Sequence, residues 1–460
     1  MNDQSDLEQF SSADSGGERQ PAERESEDPD PEEHGTARFP SLPTDWEIKR
    51  LDEVATVQGG STPSTDKDEY WDGDILWATP TDLTELQGNT ISDTEDKITE
   101  AGLESTSTHV LPPYSVLLTS RASIGKCAVN TVPMATNQGF QSLIPSEKLN
   151  TWYLYYVITE MAPYLESLGA GSTFSEISKR EVQRVQIPVP PMEEQLRIAT
   201  TLKNIDNIRE VTKQMVECGT RVKVGLRQQF FTTGINGEEL VETDSRYGKL
   251  PKSWSIKQLD EISEVVGGST PSTDEDEFWG GDIPWVTPTE ITGLVGNEIS
   301  KTERNLTESG LESTSTHVLP VNSVLMTSRA TIGECAVNTV PMATNQGFKS
   351  LIPGEEVNTW YLYYCIEHIA PYIESIGAGS TFSEVSKTVV KNIAIPLPSL
   401  DEQEEIAQTL KSVDEAVLRN KRYLSQMDTL KSGLMREIFH GQTRIRNGKV
   451  EPLDEVRVNG

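Results

Sequence analysis

An internal repeat is the feature of this chain that most constrains its fold. The residues CAVNTVPMATNQGF occupy positions 127–140 and return unchanged at 335–348, an offset of 208 residues. The stretches GGSTPST and ESTSTHVLP recur at the same offset. From Gln58 to Pro145 the two copies agree at about three positions in four, far more than the weak self-similarity of short-period repeats. The sequence therefore predicts a duplicated domain.

Each copy contains two kinds of sequence. The first part places short apolar or β-branched runs, such as SVLLTS and KCAVNTV, between clusters of Gly, Pro, Asn and Thr, and it holds one helical stretch, TWYLYYVITEMAPYLESL. This pattern is typical of an α/β or α+β domain. After IPVPPMEEQ and IPLPSLDEQ the sequence changes to long stretches without proline. These predict two helices of about 40 residues each, or about 60 Å.

The two predicted helices carry apolar stripes at heptad spacing. In the second helix the stripe follows steps of three and four through Ile406, Leu410, Val413, Val417, Asn420, Leu424, Met427, Lys431, Leu434 and Ile438. In the first helix a weaker stripe follows Ile198, Leu202, Ile205, Thr212, Val216, Gly219, Val222 and Leu226. A long helix with one apolar stripe needs a partner. We expect the two helices to form an antiparallel coiled coil with pseudo-twofold symmetry that holds two similar heads apart; packing of each helix on its own globular domain is the alternative.

These patterns divide the chain into six segments. In order they are an acidic tail (1–36), a globular domain (37–190), a coiled-coil helix (191–240), a second globular domain (245–398), a second coiled-coil helix (399–441) and a C-terminal tail (442–460). The first segment holds twelve acidic residues, two arginines and almost no large apolar residues. Such a composition predicts disorder.

The net charge of −32 and the pI near 4.5 argue against simple nucleic-acid binding, because phosphate contacts need Lys and Arg. The acid excess outside the tail is spread thinly over sequence that looks folded. Such a surface is typical of a halophilic protein from a salt-rich cytoplasm. At high salt, screening weakens long-range repulsion and leaves close contacts to decide binding. Net charge therefore does not exclude a DNA partner.

The chain lacks the motifs of common catalytic, metal and membrane proteins. The four cysteines form no CxxC pair, which indicates reduced thiols and no structural metal site. No stretch of eighteen apolar residues and no signal peptide is present, so we expect a cytoplasmic protein. LPPYS lacks the acid or amide of an amino-methylase motif, and GAGSTF lacks the last glycine of a dinucleotide loop. We expect no catalytic residue, no metal and no bound cofactor in this chain.

The order of globular unit, IPxPxxEQ helix, globular unit and IPxPxxEQ helix resembles the specificity (S) subunit of type I restriction-modification systems. The motifs behind this resemblance occur twice: LPTDWEIKRLDEVA and LPKSWSIKQLDEIS, GDILWATPTDL and GDIPWVTPTEI, TSRASIG and TSRATIG, and the NQGF blocks. The C-terminal LKSGLMREIFHGQTRIR also resembles the end of the family's second conserved helix. The resemblance covers about residues 40 to 446. The close of the first helix, LRQQFFTTGI, and the acidic N-terminal extension depart from the family pattern.

The resemblance implies two target recognition domains, each reading half of a bipartite site in double-stranded DNA. It also implies that the helices dock two methyltransferase subunits, which bind S-adenosylmethionine and methylate adenine N6. A restriction subunit that uses ATP and Mg²⁺ can join. By this resemblance the catalytic parts belong to those other chains, and we expect this chain to be a non-catalytic specificity subunit. A duplicated coiled-coil scaffold that binds protein or small-molecule ligands is the alternative.

Candidate DNA contacts are side chains that can pair with bases or phosphates. Arg121 and Arg329 come first, because cations are rare in this chain; a structural salt bridge is the alternative. The phosphate candidates are hydroxyls and lysines near predicted turns and helix starts, for which plain turns are an alternative: Ser61, Thr62, Ser269, Thr270, Thr173, Thr381, Lys179 and Lys387. The adenine candidates are the amides of the NQGF blocks: Asn137, Gln138, Asn345 and Gln346.

Two near-identical heads related by a twofold axis should read similar half-sites in inverted orientation. The expected target is an interrupted near-palindrome. Differences between the copies cluster at residues 82–98 and the equivalent residues 290–306, where Asp96 aligns with Arg304 and Asp93 aligns with Lys301. If this segment lies on DNA, the half-sites differ somewhat.

Overall fold

A computed structural model describes residues 39, 41–170, 176–378, 384–445 and 453–457. The chain forms two compact units: unit one comprises residues 1–198 and 436–460, and unit two comprises residues 199–435. The acidic segment 1–36, for which disorder is predicted, lies outside the described residues.

Unit one contains a mixed recognition fold of short strands and helices. Its strands are β1 (Glu47–Arg50), β2 (Ala55–Gly59), β3 (Trp71–Ala78), β4 (Thr90–Ile91), β5 (Lys97–Ile98), β6 (Val116–Leu118), β7 (Cys127–Asn130), β8 (Ala135–Thr136), β9 (Gln141–Pro145) and β10 (Gln186–Val189). Its short helices are α1 (Leu51–Val54), α2 (Pro80–Glu85), α3 (Glu100–Glu104), α4 (Thr151–Glu160), α5 (Ala162–Gly169) and α6 (Lys179–Arg184), with a 3₁₀ turn at Asp68–Tyr70.

Three sheets organise this fold. A five-stranded sheet has the order β2-β9-β6-β7-β4, a three-stranded sheet has the order β5-β3-β8, and β1 pairs with β10. The β4–β7 and β3–β8 pairs are parallel, whereas the other pairs are antiparallel. The repeated CAVNTVPMATNQGF supplies β7, β8 and the turn after them, and Ala128, Met134 and Phe140 are fully buried. The repeated block is therefore mainly core.

The long helix α7 (Met192–Thr233) follows β10. After α7 come the hairpin strands β11 (Leu240–Glu242) and β12 (Lys249–Pro251) and then the second copy of the recognition fold. Its strands are β13 (Ser255–Gln258), β14 (Ser263–Gly267), β15 (Trp279–Val286), β16 (Glu298–Ile299), β17 (Arg304–Leu306), β18 (Val324–Met326), β19 (Cys335–Asn338), β20 (Ala343–Thr344), β21 (Lys349–Pro353) and β22 (Ala394–Leu397). Its helices are α8 (Leu259–Ile262), α9 (Pro288–Thr292), α10 (Glu308–Glu312), α11 (Thr359–Ala378) and α12 (Lys387–Lys391), with a 3₁₀ turn at Asp276–Phe278; α13 (Leu400–Phe439) and α14 (Asp454–Arg457) follow.

The second copy repeats the topology of the first. Its sheets have the orders β14-β21-β18-β19-β16 and β17-β15-β20, and β13 pairs with β22. The predicted fold class, two tandem α/β (α+β) domains separated by two long helices, is confirmed. Among the helices of the described ranges, none combines the length and the apolar character that a membrane span requires.

In each unit, a tryptophan is hydrogen-bonded to the glutamate of the IPxPxxEQ motif. In unit one the Trp46 indole N–H donates to Glu194 Oε2 at 3.0 Å. In unit two the Trp254 indole N–H donates to Glu402 Oε2 at 3.0 Å. Both carboxylates are buried, so each needs a partner. This hydrogen bond joins the segment just before the first strand of each recognition fold to the first turn of the helix that follows the fold.

Within unit two, α7 and α13 pack against each other in antiparallel orientation. Asp206 of α7 contacts Lys431, and further along α7 Lys223 contacts Asp414. The partner position falls as the position on α7 rises, which only antiparallel helices allow. Every predicted stripe residue of α13 is buried or half-buried. The prediction of an antiparallel pair is confirmed for this part of the chain.

The stripe of α7 differs from the prediction at one position. Val222 is 47% exposed, whereas the Lys223 side chain is only 12% exposed. Lys223, four residues after Gly219, therefore takes the stripe position predicted for Val222. Its ammonium pairs with Asp414 at 2.8 Å and Glu367 at 3.0 Å. A lysine can lie in a helix interface when its charge has partners of opposite sign.

The two helices approach each other closely at Gly219. A Cβ atom there would lie 2.7 Å from Val417 Cγ2, whereas a Cβ atom at Gly225 of the same helix would have nothing within 4 Å. Glycine in a helix interior is less stable than alanine by about 0.5–1 kcal/mol. We expect Gly225→Ala to stabilise the chain by about that amount and Gly219→Ala to destabilise it, as thermal unfolding of the full chain would show. An equal gain for both variants would contradict the close contact.

The second prediction concerns His368 of α11. Its ring stacks on Phe231 of α7 with centroids 5.1 Å apart. Burial, with Arg227 and Arg246 nearby, lowers the pKa of His368 from 6.5 to about 4. Between pH 6.5 and pH 4 this histidine is protonated in the unfolded chain but neutral in the folded chain. The free energy of unfolding therefore falls as the pH falls through this range.

Replacement of the histidine tests this pH dependence. We expect His368→Gln to reduce the loss of thermal stability between pH 6.5 and 4, since it removes the titrating group. Parallel profiles for the parent chain and His368→Gln would contradict the assignment.

Candidate nucleic-acid interface

Four segments that hold candidate DNA contacts lie side by side in unit one. The Ser61 N–H donates to Thr136 O at 3.0 Å, the Ser120 N–H donates to Gly139 O at 2.7 Å, and the Ile177 N–H donates to Ser120 O at 3.0 Å. These bonds join the GGSTPS loop, the NQGF turn, the segment that contains Arg121 and the start of α6. Residues far apart in sequence therefore share one polar face.

Unit two repeats this face. The Ser269 N–H donates to Thr344 O at 3.0 Å, the Ser328 N–H donates to Gly347 O at 2.7 Å, and the Val385 N–H donates to Ser328 O at 3.0 Å. The face of unit two comprises the matching loop, turn, arginine segment and start of α12. The duplication thus produces two equivalent sites.

The second glycine of each GGSTPS loop permits the close contact with the NQGF turn. A Cβ atom at Gly60 would lie 2.0 Å from the backbone oxygen of Asn137, and one at Gly268 would lie 2.1 Å from that of Asn345. No side chain fits there, so the loop can reach the turn only with glycine.

The candidate threonines and glutamines of this face contact each other. The Thr62 hydroxyl donates to Gln138 Oε1, and the Thr270 hydroxyl donates to Gln346 Oε1. Both glutamines are exposed. The amide nitrogen of each glutamine is not used in this contact and can donate to a ligand.

The candidate asparagines support the turn itself. Asn137 Oδ1 accepts the Gly139 N–H at 2.8 Å, and Asn345 Oδ1 accepts the Gly347 N–H at 2.8 Å. Both asparagines are half-buried. Each Oδ1 has a second lone pair and each Nδ2 two N–H groups, so a donor and an acceptor remain on these side chains beside the turn bond.

Arg121 and Arg329 each form an ion pair. Arg121 pairs with Glu176 at 2.8 Å and Arg329 pairs with Glu384 at 2.7 Å. Each arginine side chain is nevertheless 45% exposed. The carboxylate fixes the guanidinium in place, and its remaining N–H groups can still donate to an outside acceptor.

The other candidates occupy the rim of the face. Ser61 and Ser269 are half-buried, and their backbone oxygens accept the indole N–H of Trp77 and Trp285 at 3.1 Å. Lys179 and Lys387 are exposed first residues of α6 and α12. Two further candidates, Thr173 and Thr381, lie outside the described residues.

Lys349 is a residue of this face that the sequence analysis missed. Its Nζ donates to Glu384 at 3.1 Å and to Ser328 Oγ at 3.3 Å, and its side chain is only 11% exposed. Burial alone would raise the pKa of Glu384, but hydrogen bonds from Arg329 and Lys349 hold that pKa below its usual value. Glu384 therefore stays ionised between two cations.

Unit one has Gln141 at the position of Lys349. Its Oε1 is buried without a hydrogen-bond partner among the described residues. The Arg121–Glu176 pair is neutral, whereas Arg329, Lys349 and Glu384 together carry one positive charge. The glutamine-to-lysine difference between the copies was the available sequence signal, but only the structure places it behind the arginine.

Arg304 is a second point of difference. Its guanidinium lies 3.4 Å from the centroid of the Trp279 ring, and the Trp279 indole N–H donates to Ser272 O in the GGSTPS loop at 3.0 Å. In unit one the matching Trp71 bonds to Ser64 O in the same way at 3.1 Å, but Asp96 replaces the arginine. The charge reversal seen in the sequence therefore lies beside the loop.

The described ranges hold no candidate metal cluster, and the thiol of Cys365 is fully buried. They contain no group of three or more His, Cys, Asp or Glu residues able to hold a metal ion. No disulfide joins any of the four cysteines, all of which lie in the described ranges. Burial raises the pKa of Cys365 to about 12, which keeps this thiol protonated and unreactive.

Comparison with known proteins identifies the family. The model of the type I restriction modification DNA specificity domain matches residues 43–217 and 251–425, one match for each copy of the repeat. The chain therefore belongs to this family of DNA specificity proteins.

Relatives and solved structures agree with the family match. The chain is 29% identical over 412 residues to the type I restriction enzyme MjaIX specificity subunit of Methanocaldococcus jannaschii, with 88% of this chain and 95% of the relative covered. It is 32% identical over 191 residues, 40% of this chain and 45% of the relative, to the EcoR124I/EcoR124II specificity subunit of Escherichia coli. The fold is similar to that of the S subunit from M. genitalium, with a TM-score of 0.56 and 14% identity over 87% of this chain and 98% of that one.

Proposed function

We propose that this chain is the non-catalytic DNA-reading subunit of a type I restriction-modification complex. The recognition domains, residues 37–190 and 245–398, each read one half of a bipartite site. The helices, within 191–240 and 399–441, set the spacing and dock the methyltransferase subunits. The observation that carries the proposal is the repeated polar face, which presents an exposed arginine, glutamine and lysine from adjacent segments in a chain of this family.

The arginines act as the fixed phosphate or base contacts of each face. An arginine held by a carboxylate loses little side-chain freedom on binding, because its planar fork is already oriented. Lys179 and Lys387 add flexible phosphate contacts, and the glutamine nitrogens can donate to base acceptors. These groups are few, as expected for a DNA-binding surface in a strongly acidic chain, where local cations must act at short range.

The two half-sites are similar and inverted, but not identical. The shared residues of the two faces favour a near-palindrome. The buried charge of Lys349 and the stacked Arg304 make the face of unit two more positive at two points than the matching positions of unit one, Gln141 and Asp96. The half-site read by unit two therefore differs at positions near these residues.

The catalytic chemistry belongs to partner subunits. S-adenosylmethionine on the methyltransferase subunits would supply the methyl group for adenine N6, and ATP and Mg²⁺ would act with the restriction subunit. The complex would act in the cytoplasm, where the host DNA is.

Methylation by the assembled complex tests the proposal. The chain would be co-purified with the host's methyltransferase subunit, and the DNA that the complex methylates would be sequenced. We expect adenine methylation at one interrupted near-palindrome. Failure of the complex to bind or methylate DNA at the host's salt concentration would instead favour a coiled-coil scaffold that binds other ligands.

The arginine of unit two offers a residue-level prediction. Since each phosphate contact contributes about 0.9 to the slope of log affinity against log salt, Arg329→Ala should lower that slope by about one unit and weaken binding. Lys249 on the β11–β12 hairpin, paired with Glu242 at 3.5 Å, is a control cation that belongs to none of the four segments of the face. Lys249→Ala should leave the slope unchanged, and an equal effect of both variants would contradict a role for Arg329 at DNA.

A further inference from the structure

The C-terminal segment docks on the recognition fold of unit one. The Asn150 Nδ2 group donates to Val456 O at 2.6 Å, and the Trp152 indole N–H donates to Glu455 O at 3.0 Å. Val456 is fully buried. Two side-chain donors at the start of α4 thus hold consecutive backbone carbonyls of a short acidic segment, LDEVR.

This docking covers the start of α4 completely. Asn150 and Thr151 are 0% exposed and Trp152 is 2% exposed. Asn150 also has a second role, since its Oδ1 accepts the backbone N–H groups of Trp152 and Tyr153 and caps the helix. One asparagine therefore caps the helix with its oxygen and binds the peptide with its nitrogen.

Unit two has an equivalent receptor site, formed by Asn358 and Trp360 at the start of α11. Asn358 Oδ1 caps α11 by accepting the Trp360 N–H at 2.9 Å and the Tyr361 N–H at 3.1 Å. The backbone of the capping asparagine is anchored identically in the two units, because Gln195 Oε1 accepts the Asn150 N–H and Gln403 Oε1 accepts the Asn358 N–H, both at 2.8 Å. The repeat thus reproduces both the side chains that bind the C-terminal segment in unit one and the glutamine that anchors the capping asparagine.

The receptor of unit two is uncovered. Asn358, Thr359 and Trp360 are only half-buried. Neither Asn358 Nδ2 nor the Trp360 indole N–H has a hydrogen-bond acceptor among the described residues. The two donors that engage backbone carbonyls in unit one are thus available in unit two.

A cation lies beside the uncovered receptor. Lys411 Nζ lies 3.9 Å from the centroid of the Trp360 ring and 3.0 Å from Glu298 Oε1. Trp360 and Lys411 line a cleft of about 740 Å³ that holds five basic and four acidic side chains, and its Lys421 and Arg422 form no ion pair among the described residues. These charges would attract the acidic residues of a segment like LDEVR.

We propose that Asn358 and Trp360 form a docking site for a short acidic peptide segment supplied by another protein chain. The occupant has the chemistry of the tail: two acidic residues followed by an apolar residue, with backbone carbonyls that accept from the asparagine and the indole. The tail of this chain already occupies unit one. A second copy of the chain would have to release its own tail, which an intramolecular contact at high effective concentration opposes. The occupant is therefore a different partner.

A peptide titration tests the docking site in the full chain. The probe is a synthetic peptide of residues 449–460, KVEPLDEVRVNG, with fluorescein at its N-terminus, and binding is read by fluorescence polarisation. We expect one peptide per chain. The same peptide with the residue at Val456 changed to aspartate should not bind, because an apolar side chain is buried at that position in unit one.

Asn358→Asp separates binding from folding. Aspartate caps a helix as well as asparagine does, so α11 should form, as circular dichroism would confirm. The change removes the Nδ2 donor and adds a negative charge, and we expect peptide binding to weaken about tenfold or more. The matched Asn150→Asp variant should still bind one peptide at unit two.

The outcomes are distinct from those of the DNA experiments, because the site lies on α11 and uses none of the proposed DNA contacts. No peptide binding to the parent chain would overturn the proposal. Binding that Asn358→Asp leaves unchanged would overturn it as well, since the peptide would then occupy another surface.

Discussion

Two lysine–aspartate ion pairs between the long helices are the interactions on which the arrangement of this chain depends. Asp206 and Lys431 lie 2.6 Å apart, and Lys223 and Asp414 lie 2.8 Å apart. At the repeat offset, Asp206 corresponds to Asp414 and Lys223 corresponds to Lys431, so each helix carries the same acid and the same lysine. Antiparallel pairing brings each acid to the lysine of the other helix. Removing one partner of such a poorly exposed pair costs about 3–5 kcal/mol, which makes other registers unfavourable.

Each long helix is fixed to a recognition fold. In each unit, an indole–carboxylate bond holds the start of the fold against the first turn of the following helix. The rest of the duplicated sequence forms a framework whose conserved block, CAVNTVPMATNQGF, lies mostly in the core. The equivalent faces differ at a few positions, such as Gln141 against Lys349, while the topology of the two copies is the same.

Much of this organisation could be predicted from the sequence, because it depends on periodicity. The repeat predicts two equal folds, and the heptad stripe of α13 predicts its buried side. The stripe of α7 is less regular, and hydropathy predicts the apolar Val222 as its buried residue instead of Lys223. A buried lysine is acceptable only where carboxylates from other elements reach it, and the local sequence does not show those carboxylates. The pairing of Arg121 with Glu176 and the position of Lys349 behind Arg329 depend on contacts between distant segments, which no local pattern encodes. The docking of LDEVR was missed for the same reason.

The central claim is that each copy of the repeat reads its own half of one DNA site. It is tested most directly by a chimera in which residues 266–353 are replaced by residues 58–145, so that both units carry the face of unit one. The target that the chimera methylates with its partner subunit would be compared with that of the parent chain. We expect one half-site to stay unchanged and the other to become its inverted copy, giving an interrupted perfect palindrome. An unchanged target in a folded, active complex would contradict the claim.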